Sequence, residues 1–366
     1  MTRSTALAIF LLAFTAIGRA ADPMPVAEFI EDTGVTANGP PVRERPGWKP
    51  TPTIVVQRAQ WLTEGLDADF PAARVIVVDS ADAALAHAAE ADALIGFCDD
   101  SLIEAARELV WVQVYWAGVE RCLLNDRVGQ GDVLLTNMQK MSSATIGEHA
   151  IALMLSLTRG LAGFAKMMPE GNWRRAYAGE SGVSSVDGKT MLVVGLGGIG
   201  KQAARRAKAL GMRVVATRNS SRQGPAYVDY VGLSDELLEL AREADVVVNA
   251  LPLTDATAGL FDKTFFATVK PGSYFINVGR GGTVVTDELL AALESGRLAG
   301  AGLDVTDPEP LPANHPLWGI PNVIITPHVA GFGGSRRWHA MLVRENLRRY
   351  LAGEALLNVV DPERGY

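Results

Sequence analysis

Cysteine is scarce in this sequence: the chain of 366 residues contains two, Cys98 and Cys122. Two cysteines are too few for a disulfide framework, and their spacing matches no metal-binding motif. We interpret Cys98 as a buried strand residue, whereas the pattern around Cys122 favours no particular environment. The sequence therefore excludes a disulfide-rich scaffold and predicts no metal site.

Positive charge and long apolar runs are also scarce. The formal net charge is −7 and no concentrated basic stripe is present, so we expect no nucleic acid partner. The apolar run Ala6–Ile17 is too short for a comfortable membrane span, and no other segment resembles one, so we expect no membrane segment in the mature form. A hydrophobic content of 48% and a charged content of 20% are typical of a globular protein, and the length accommodates two domains.

The most informative motif is the stretch 191–200, which reads MLVVGLGGIG. A short apolar run ends in the G-x-G-x-x-G spacing, and apolar residues then recur at helical spacing. In dinucleotide-binding proteins these glycines permit a tight turn, close approach to a pyrophosphate and close helix–strand packing. A glycine-rich turn without a ligand would explain the glycines alone but not the strand–turn–helix context. We assign this motif to a dinucleotide, with contacts from Gly195, Gly197, Gly198, Ile199 and Gly200.

The next predicted strand indicates which dinucleotide is bound. An acidic residue usually follows about 20 positions after the glycines and binds the ribose 2′-hydroxyl. Here the strand ends without a carboxylate and continues into the residues Arg218, Asn219, Ser220 and Arg222. Guanidinium groups pair with phosphate through parallel charged hydrogen bonds, so these residues suit a 2′-phosphate. We expect NADP(H) to be preferred and NAD(H) to be possible; the alternative is that both arginines are solvated loop charges.

Strand-like runs alternate with helical patterns along most of the chain, which predicts parallel α/β layers. Residues 22–50, rich in proline, glycine and charge, are predicted to form a loose extension. We expect a substrate-binding (catalytic) domain over 51–142 plus 332–366 and a dinucleotide-binding Rossmann domain over 143–331. The fold class is α/β, with two Rossmann-like or flavodoxin-like parallel-sheet domains and the active site in the cleft between them.

Two further helices are predicted. One spans Ser143–Met168, and a closing helix over Ser335–Leu351 could cross back to the first domain. The predicted strands are Thr53–Val56, Arg74–Val78, Ala93–Phe97, Val110–Tyr115 and Val133–Thr136 in the first domain, and Met191–Val194, Arg213–Thr217, Val246–Asn249, Ser273–Asn277, Gly300–Asp304 and Val323–Ile325 in the second.

Chemically active side chains follow several of these strands. Ligands of open α/β sheets bind outside the carboxyl ends of the strands, so these segments face a common crevice. Arg280 stands between glycines, which allow a carboxylate or carbonyl ligand to come close. His328 is the natural proton donor, because imidazole exchanges protons near neutral pH. Glu309 matters if it touches His328, since a neighbouring carboxylate favours imidazolium.

Five ordered motifs resemble the D-isomer-specific 2-hydroxyacid dehydrogenases, most of all their NADP-dependent glyoxylate/hydroxypyruvate reductase branch. They are GLGGIG, LPLT, NVGRG, GLDV with a following EP, and TPHVA, and the resemblance covers roughly Thr53 to the carboxyl terminus. It implies that Arg280, Glu309 and His328 act together in catalysis. The chain departs from the family pattern in carrying Glu120 where many members carry Asp.

The same resemblance implies further site residues and a homodimer. Backbone N–H groups of Ala117 and Gly118 should hold the substrate carboxylate together with Arg280, although the neighbouring Trp116 makes this loop bulky. Asp304 matches the family residue that binds the nicotinamide carboxamide. Other expected cofactor contacts are Leu251, Pro252, Thr257, Val278, Gly279, His328 and Gly331.

The sequence therefore predicts an enzyme, an NAD(P)-dependent oxidoreductase that reduces a small 2-oxo acid such as glyoxylate or hydroxypyruvate to the D-2-hydroxy acid, and the reverse. One alternative is a non-catalytic NAD(P)-sensing or scaffold protein of the same fold. Another is a dehydrogenase of a different small anion.

The amino terminus resembles a secretory signal peptide. Arg3 precedes the apolar run, and small residues follow it. We expect a signal peptide over residues 1–21, cleaved after Ala20 or Ala21, and a periplasmic protein. The alternative is a cytoplasmic protein whose translation starts at Met24. The segment lacks the paired arginines of leaders that export folded, cofactor-loaded proteins, so the cofactor supply of an exported form stays open.

Overall fold

The computed structural model describes residues 26–334 and 336–365. The predicted signal peptide, its cleavage site and Met24 lie outside the described residues. The described chain contains two parallel sheets, one of five strands and one of seven. Helices alternate with these strands along the chain, which confirms the predicted α/β class.

The first sheet has the strand order β2-β1-β3-β4-β5, and every neighbouring pair is parallel. Its central strands are mostly apolar because both faces of a parallel sheet are covered. The strands are β1 (Thr53–Gln57), β2 (Arg74–Val78), β3 (Ala93–Ile95), β4 (Trp111–Gln113) and β5 (Leu134–Thr136).

The second sheet has the order β12-β11-β10-β9-β6-β7-β8. The direction in which strands are added reverses between the sixth and ninth strands, and such a reversal opens a crevice at the carboxyl ends of the strands. The strands are β6 (Thr190–Val194), β7 (Arg213–Thr217), β8 (Tyr230–Gly232), β9 (Val246–Asn249), β10 (Ser273–Asn277), β11 (Leu298–Leu303) and β12 (Val323–Ile325).

Helices cover both sheets, and apolar clusters fill the layers between them.

No single helix of the described residues is long and apolar enough to span a bilayer. Ser143–Thr158 and Leu161–Glu170 pass that test only as a pair bent by 66°. The described α-helices are α1 (Val26–Thr33), α2 (Leu66–Asp69), α3 (Ala81–Leu85), α4 (Asp100–Ala105), α5 (Asp126–Gly129), α6 (Ser143–Thr158), α7 (Leu161–Met167), α8 (Tyr177–Glu180), α9 (Gly198–Ala209), α10 (Leu237–Glu243), α11 (Lys263–Thr268), α12 (Thr286–Glu294) and α13 (Arg337–Ala352).

The closing helix α13 returns to the first sheet. Leu347 and Tyr350 are fully buried in the same cluster as Ile54 and Trp111 of that sheet. The rings of Trp111 and Tyr350 stack with centroids 5.5 Å apart. The predicted crossing is therefore present, whereas the exact domain boundaries stay a prediction.

Two expectations about regular structure are wrong, and one strand was not predicted. The segment 22–50 is not simply loose, because α1 lies within it and the buried ring of Phe29 stacks on Trp338 of α13. The helix predicted over Ser143–Met168 breaks at Gly160, which has φ +65 and begins α7 in a new direction. The short edge strand β8 was not predicted, since three residues carry too little pattern.

A disulfide joins Cys98 and Cys122. The interpretation of Cys98 as a strand residue is wrong, because β3 ends at Ile95 and Gly96, with φ +91, turns the chain. Cys122 is buried and lies in a short turn after the loop that contains Gly118. The two cysteines are 24 residues apart and meet only through the tertiary fold, so their spacing alone gave no signal.

Candidate active site

The glycine motif forms the turn between β6 and α9. Gly195 has φ +94, a backbone conformation that residues with a side chain rarely adopt. A Cβ on Gly200 would clash with the carbonyl oxygen of Gly195, whereas a Cβ on Gly197 would meet no atom within 4 Å. Gly198 and Ile199 open α9, so their N–H groups belong to the unpaired first turn of a helix. The turn is closed towards the helix and open beside Gly197, which suits a diphosphate.

An open cavity of about 410 Å³ follows β7. Arg218 lines it, and its guanidinium donates to the carbonyl oxygen of Gln223 at 2.8 Å. Lys201, in the first turns of α9, lines the same cavity. Two cations at one cavity suit the phosphate groups of a dinucleotide. The other lining residues are Gln223, Gly224, Pro225 and Tyr227.

The other residues predicted to bind the 2′-phosphate do not line the cavity that contains Arg218. Arg222 does not line this cavity; its Nη1 lies 2.6 Å from a carboxylate oxygen of Glu236 and 3.1 Å from the hydroxyl of Tyr230. Asn219 and Ser220 are exposed on the intervening loop. Arg218 is therefore better placed than Arg222 to bind a 2′-phosphate, and the roles of Asn219 and Ser220 stay predictions.

The segments after β9 and β10 run against each other. A Cβ on Gly279 would lie 2.6 Å from the carbonyl oxygen of Leu251, so only a glycine permits this approach. The hydroxyl of Thr257 donates to the carbonyl of Pro252 at 2.7 Å and fixes that loop. Val278 is buried in the core beneath. These predicted cofactor residues thus share the carboxyl edge of the sheet.

Arg280 is held firmly at the end of β10. Its carbonyl oxygen accepts hydrogen bonds from the hydroxyl of Thr283 at 2.7 Å and from the side-chain amide of Asn277 at 3.2 Å. Its own Nη1 donates to the carbonyl of Gly279 at 2.9 Å. With 27% of its side chain exposed, the guanidinium is fixed in place yet accessible to a ligand.

The guanidinium of Arg280 also contacts the loop after β4 in the first sheet. Its Nε donates to a carboxylate oxygen of Glu120 at 2.9 Å. A Cβ on Gly118 would clash with the Nη2 atom of Arg280. The carbonyl of Ala117 accepts a hydrogen bond from the amide of Asn137 at 2.8 Å, which holds the loop. The predicted carboxylate-binding loop and the predicted catalytic arginine therefore meet.

His328 and Glu309 form the predicted pair. The Nδ1 atom of His328 lies 2.7 Å from a carboxylate oxygen of Glu309. About half of each side chain is exposed, so the opposite ring nitrogen, Nε2, is available to a ligand. His328 has φ +54, which is uncommon for a residue with a side chain and often marks functional sites.

The buried carboxylate of Asp304 holds the loop that carries His328. It accepts hydrogen bonds from the hydroxyl of Thr326 at 2.6 Å and from the backbone N–H groups of Val329 and Ala330 at 2.9 and 3.0 Å. His149 of α6 contacts the same hydroxyl at 2.9 Å. In this structure Asp304 is a positioning residue, and its expected contact with a nicotinamide stays a prediction.

These groups lie along one edge of the second sheet. β10 and β12 flank β11, and Arg280 and His328 each follow the end of their strand by three residues. Gly331 continues the His328 loop and packs against Ser142, at the start of α6. Within residues 26–334 and 336–365, no group of three or more His, Cys, Asp or Glu residues is arranged to hold a metal ion.

Comparison with known proteins agrees with this geometry. Residues 151–330 match the model of the D-isomer specific 2-hydroxyacid dehydrogenase, NAD binding domain. A glyoxylate/hydroxypyruvate reductase B from Escherichia fergusonii is 33% identical over 280 residues, which cover 75% of this chain and 86% of that protein. The chain belongs to the D-isomer specific 2-hydroxyacid dehydrogenase family. The human glyoxylate reductase/hydroxypyruvate reductase is 34% identical over 270 residues, 70% of this chain and 79% of the human protein.

A solved member of the family has the same architecture. The D-isomer specific 2-hydroxyacid dehydrogenase from Xanthobacter autotrophicus, crystallised with NADPH and MES, is 29% identical with a TM-score of 0.74. The match covers 86% of this chain and 100% of that chain. Membership in this family agrees with the sequence-based resemblance.

Sequence reasoning missed several residues around this site. It noted Glu120 only as a departure from the family pattern, not as the partner of Arg280. It also overlooked Lys201, although this lysine directly follows the glycine motif, where a phosphate is expected. Nothing in the local pattern distinguishes His149 from other helix residues.

Proposed function

We propose that the protein is an NAD(P)H-dependent reductase of small 2-oxo acids, with glyoxylate and hydroxypyruvate as leading substrates and the D-2-hydroxy acid as product. One observation carries this proposal: Arg280 touches the carboxylate-binding loop while the His328–Glu309 pair lies along the same sheet edge. A guanidinium and an imidazole at one cleft are what a 2-oxo acid requires. Neither a sensor nor a scaffold needs both.

Each residue has a distinct task. NADPH, when bound along the glycine turn, supplies the hydride that reduces the carbonyl carbon. The N–H groups of Ala117 and Gly118, with Arg280, bind the substrate carboxylate. Arg280 stabilises the negative charge that develops on the carbonyl oxygen, and His328 donates a proton to that oxygen. Glu309 keeps the imidazole oriented and favours its protonated form.

A substrate panel tests this function. The purified protein with NADPH should lose the absorbance of the reduced cofactor when glyoxylate or hydroxypyruvate is added, and chiral analysis of a longer 2-oxo acid product should give the D isomer. Binding of NADPH without turnover of any 2-oxo acid would favour the sensing alternative. Turnover of a different small anion alone would reject the substrate assignment.

The preference for NADP(H) is proposed to depend on Arg218. Replacing it by aspartate should weaken NADPH binding by at least about tenfold, because a charge-assisted contact is lost and a repulsive one is created. NADH, which lacks the 2′-phosphate, should be affected much less. Fluorescence titration of both cofactors measures this, with Arg222→Asp as the matched control. Equal weakening of both cofactors by Arg218→Asp would contradict the assignment.

Export to the periplasm is a further proposal, and the disulfide supports it. Disulfides persist in oxidising compartments and are rare in the cytosol. We therefore expect the mature protein from its native host to begin at Ala21 or Asp22 and to show no reactive thiol before reduction. Intact mass and amino-terminal sequencing check both points. A native chain that begins at Met24 with two free thiols would contradict export.

A homodimer is the proposed assembly. Large apolar side chains are exposed on the stretch between α6 and β6, where Leu161, Met168 and Trp173 have 52%, 76% and 95% of their surface exposed. Apolar side chains grouped on one stretch are typical of a protein interface. A second copy of the chain is the partner we propose, and light scattering of the purified protein gives the mass that tests it.

A further inference from the structure

Lys140 links the phosphate-binding turn to the segment that joins the two sheets. It lies between β5 and α6, outside the glycine motif. A Cβ built on Gly198, the first residue of α9, would lie 3.4 Å from the Cγ atom of Lys140. The aliphatic stem of this lysine therefore rests on the first residue of α9, the helix to which the cofactor is assigned. Residue 198 itself carries no side chain that could bind a phosphate.

Lys140 and Lys201 place two positive charges close enough to repel each other. The half-buried environment lowers the pKa of Lys140, and the positive charge of Lys201 lowers it further. Among the side chains that the structure describes, neither ammonium has a carboxylate within 4.0 Å. Lys208, on the same helix as Lys201, has such a partner, since its Nζ lies 2.7 Å from Asp229. Positive charges that repel each other and have no carboxylate partner indicate that an anion completes this site.

We propose that Lys140 is a ligand of the cofactor's diphosphate and, with Lys201, forms a cationic clamp over the glycine turn. This inference rests on the proposed function and deepens it, because it assigns a phosphate-binding role to the segment between the two sheets. The ligand class is a diphosphate ester, so NADPH and NADH should depend on Lys140 equally. Arg218, by contrast, distinguishes the two cofactors.

The backbone of Lys140 and its present partner fit this role. Lys140 has φ +77, a conformation uncommon outside glycine and asparagine and a frequent mark of functional positions. Its ammonium donates to the carbonyl oxygen of Gly34, directly after α1. A neutral carbonyl does not neutralise an ammonium, so a diphosphate is the stronger partner.

Lys140→Asn tests the clamp, because asparagine tolerates the left-handed backbone better than other side chains. The dissociation constants of NADPH and NADH should both rise about tenfold, as expected for loss of one charged contact to phosphate. Lys140→Arg should restore most of the affinity. Lys208→Asn, which removes an ammonium already paired with Asp229, should change neither constant. Titration of the cofactor-free protein by fluorescence or calorimetry measures binding without turnover.

The outcomes separate this inference from the proposed function. If the unmodified protein binds no NADPH or NADH, the proposed function fails. If it binds both but Lys140→Asn binds them with unchanged affinity, the clamp is wrong and the function stands. If NADPH alone is weakened, Lys140 contacts the 2′-phosphate and the diphosphate assignment is wrong. A circular dichroism spectrum identical to that of the unmodified protein establishes that Lys140→Asn is folded. If Lys140→Asn does not fold, Lys140→Gly is used in its place, because glycine fits the same backbone conformation.

Discussion

Replacing His328 by alanine should lower kcat for 2-oxo acid reduction by about 100- to 10,000-fold, the range for loss of a general acid. The carbonyl oxygen then has no proton donor in place, whereas the glycine turn and the Arg218 cavity are untouched. The dissociation constant of NADPH should therefore stay nearly unchanged. Steady-state kinetics and fluorescence titration measure the two quantities separately.

Two further variants sharpen this test. Glu309→Gln keeps a hydrogen-bond acceptor beside Nδ1 of His328 but removes the charge, so it should lower kcat less than His328→Ala. His87→Ala is the matched control, because His87 pairs with Glu90 at the surface of the first domain. Unchanged reduction by His328→Ala would remove the histidine from the mechanism.

Replacing Arg280 by glutamine should lower kcat/KM for the 2-oxo acid by about 1,000-fold, near the upper range for loss of one donor to a developing oxyanion. The carboxylate contact and the stabilisation of the carbonyl oxygen are lost together. Arg280→Lys should recover little, because a compact ammonium lacks the planar fork of donors with which the guanidinium reaches Glu120 and the Gly279 carbonyl and still presents N–H groups to a substrate. Steady-state kinetics with glyoxylate measures both variants.

Gly118→Ala is a companion to this test from the opposite side of the cleft. The added Cβ would clash with the Nη2 atom of Arg280, so the guanidinium must move and KM should rise. Arg213→Gln is a suitable control, since Arg213 pairs with Glu243 in an exposed ion pair. Full activity in both Arg280→Gln and Gly118→Ala would contradict the placement of the substrate between these loops.

The sequence predicted the second sheet better than its surroundings. Strands such as Val246–Asn249 and Ser273–Asn277 have the bounds that the apolar runs predicted, because each run ends at an asparagine that is the last residue of its strand. Arg280, Glu309 and His328 could also be predicted from the sequence, since residues that follow parallel strands must share one edge of the sheet. That His328 and Glu309 pair, with Nδ1 2.7 Å from a carboxylate oxygen, is known only from the structure.

Features that depend on distant parts of the chain escaped prediction. Glu120 and Arg280 are separated by 160 residues, and nothing in either local pattern specifies their ion pair. The disulfide and the contact of Lys140 with Gly198 likewise join residues that are distant in sequence. The helix α1 was not predicted, because the proline, glycine and charged residues around it indicate a loop. Its stability depends on Phe29, which packs on the distant helix α13.

A crystal structure with NADPH and oxalate bound tests the central claim most directly, since oxalate has the size and charge of a small 2-oxo acid. One oxalate should contact the N–H of Gly118, the guanidinium of Arg280 and the imidazole of His328, with the nicotinamide ring beside it. Oxalate bound away from this cleft, or contacts of Arg280 and His328 with two separate ligands, would contradict a shared catalytic site.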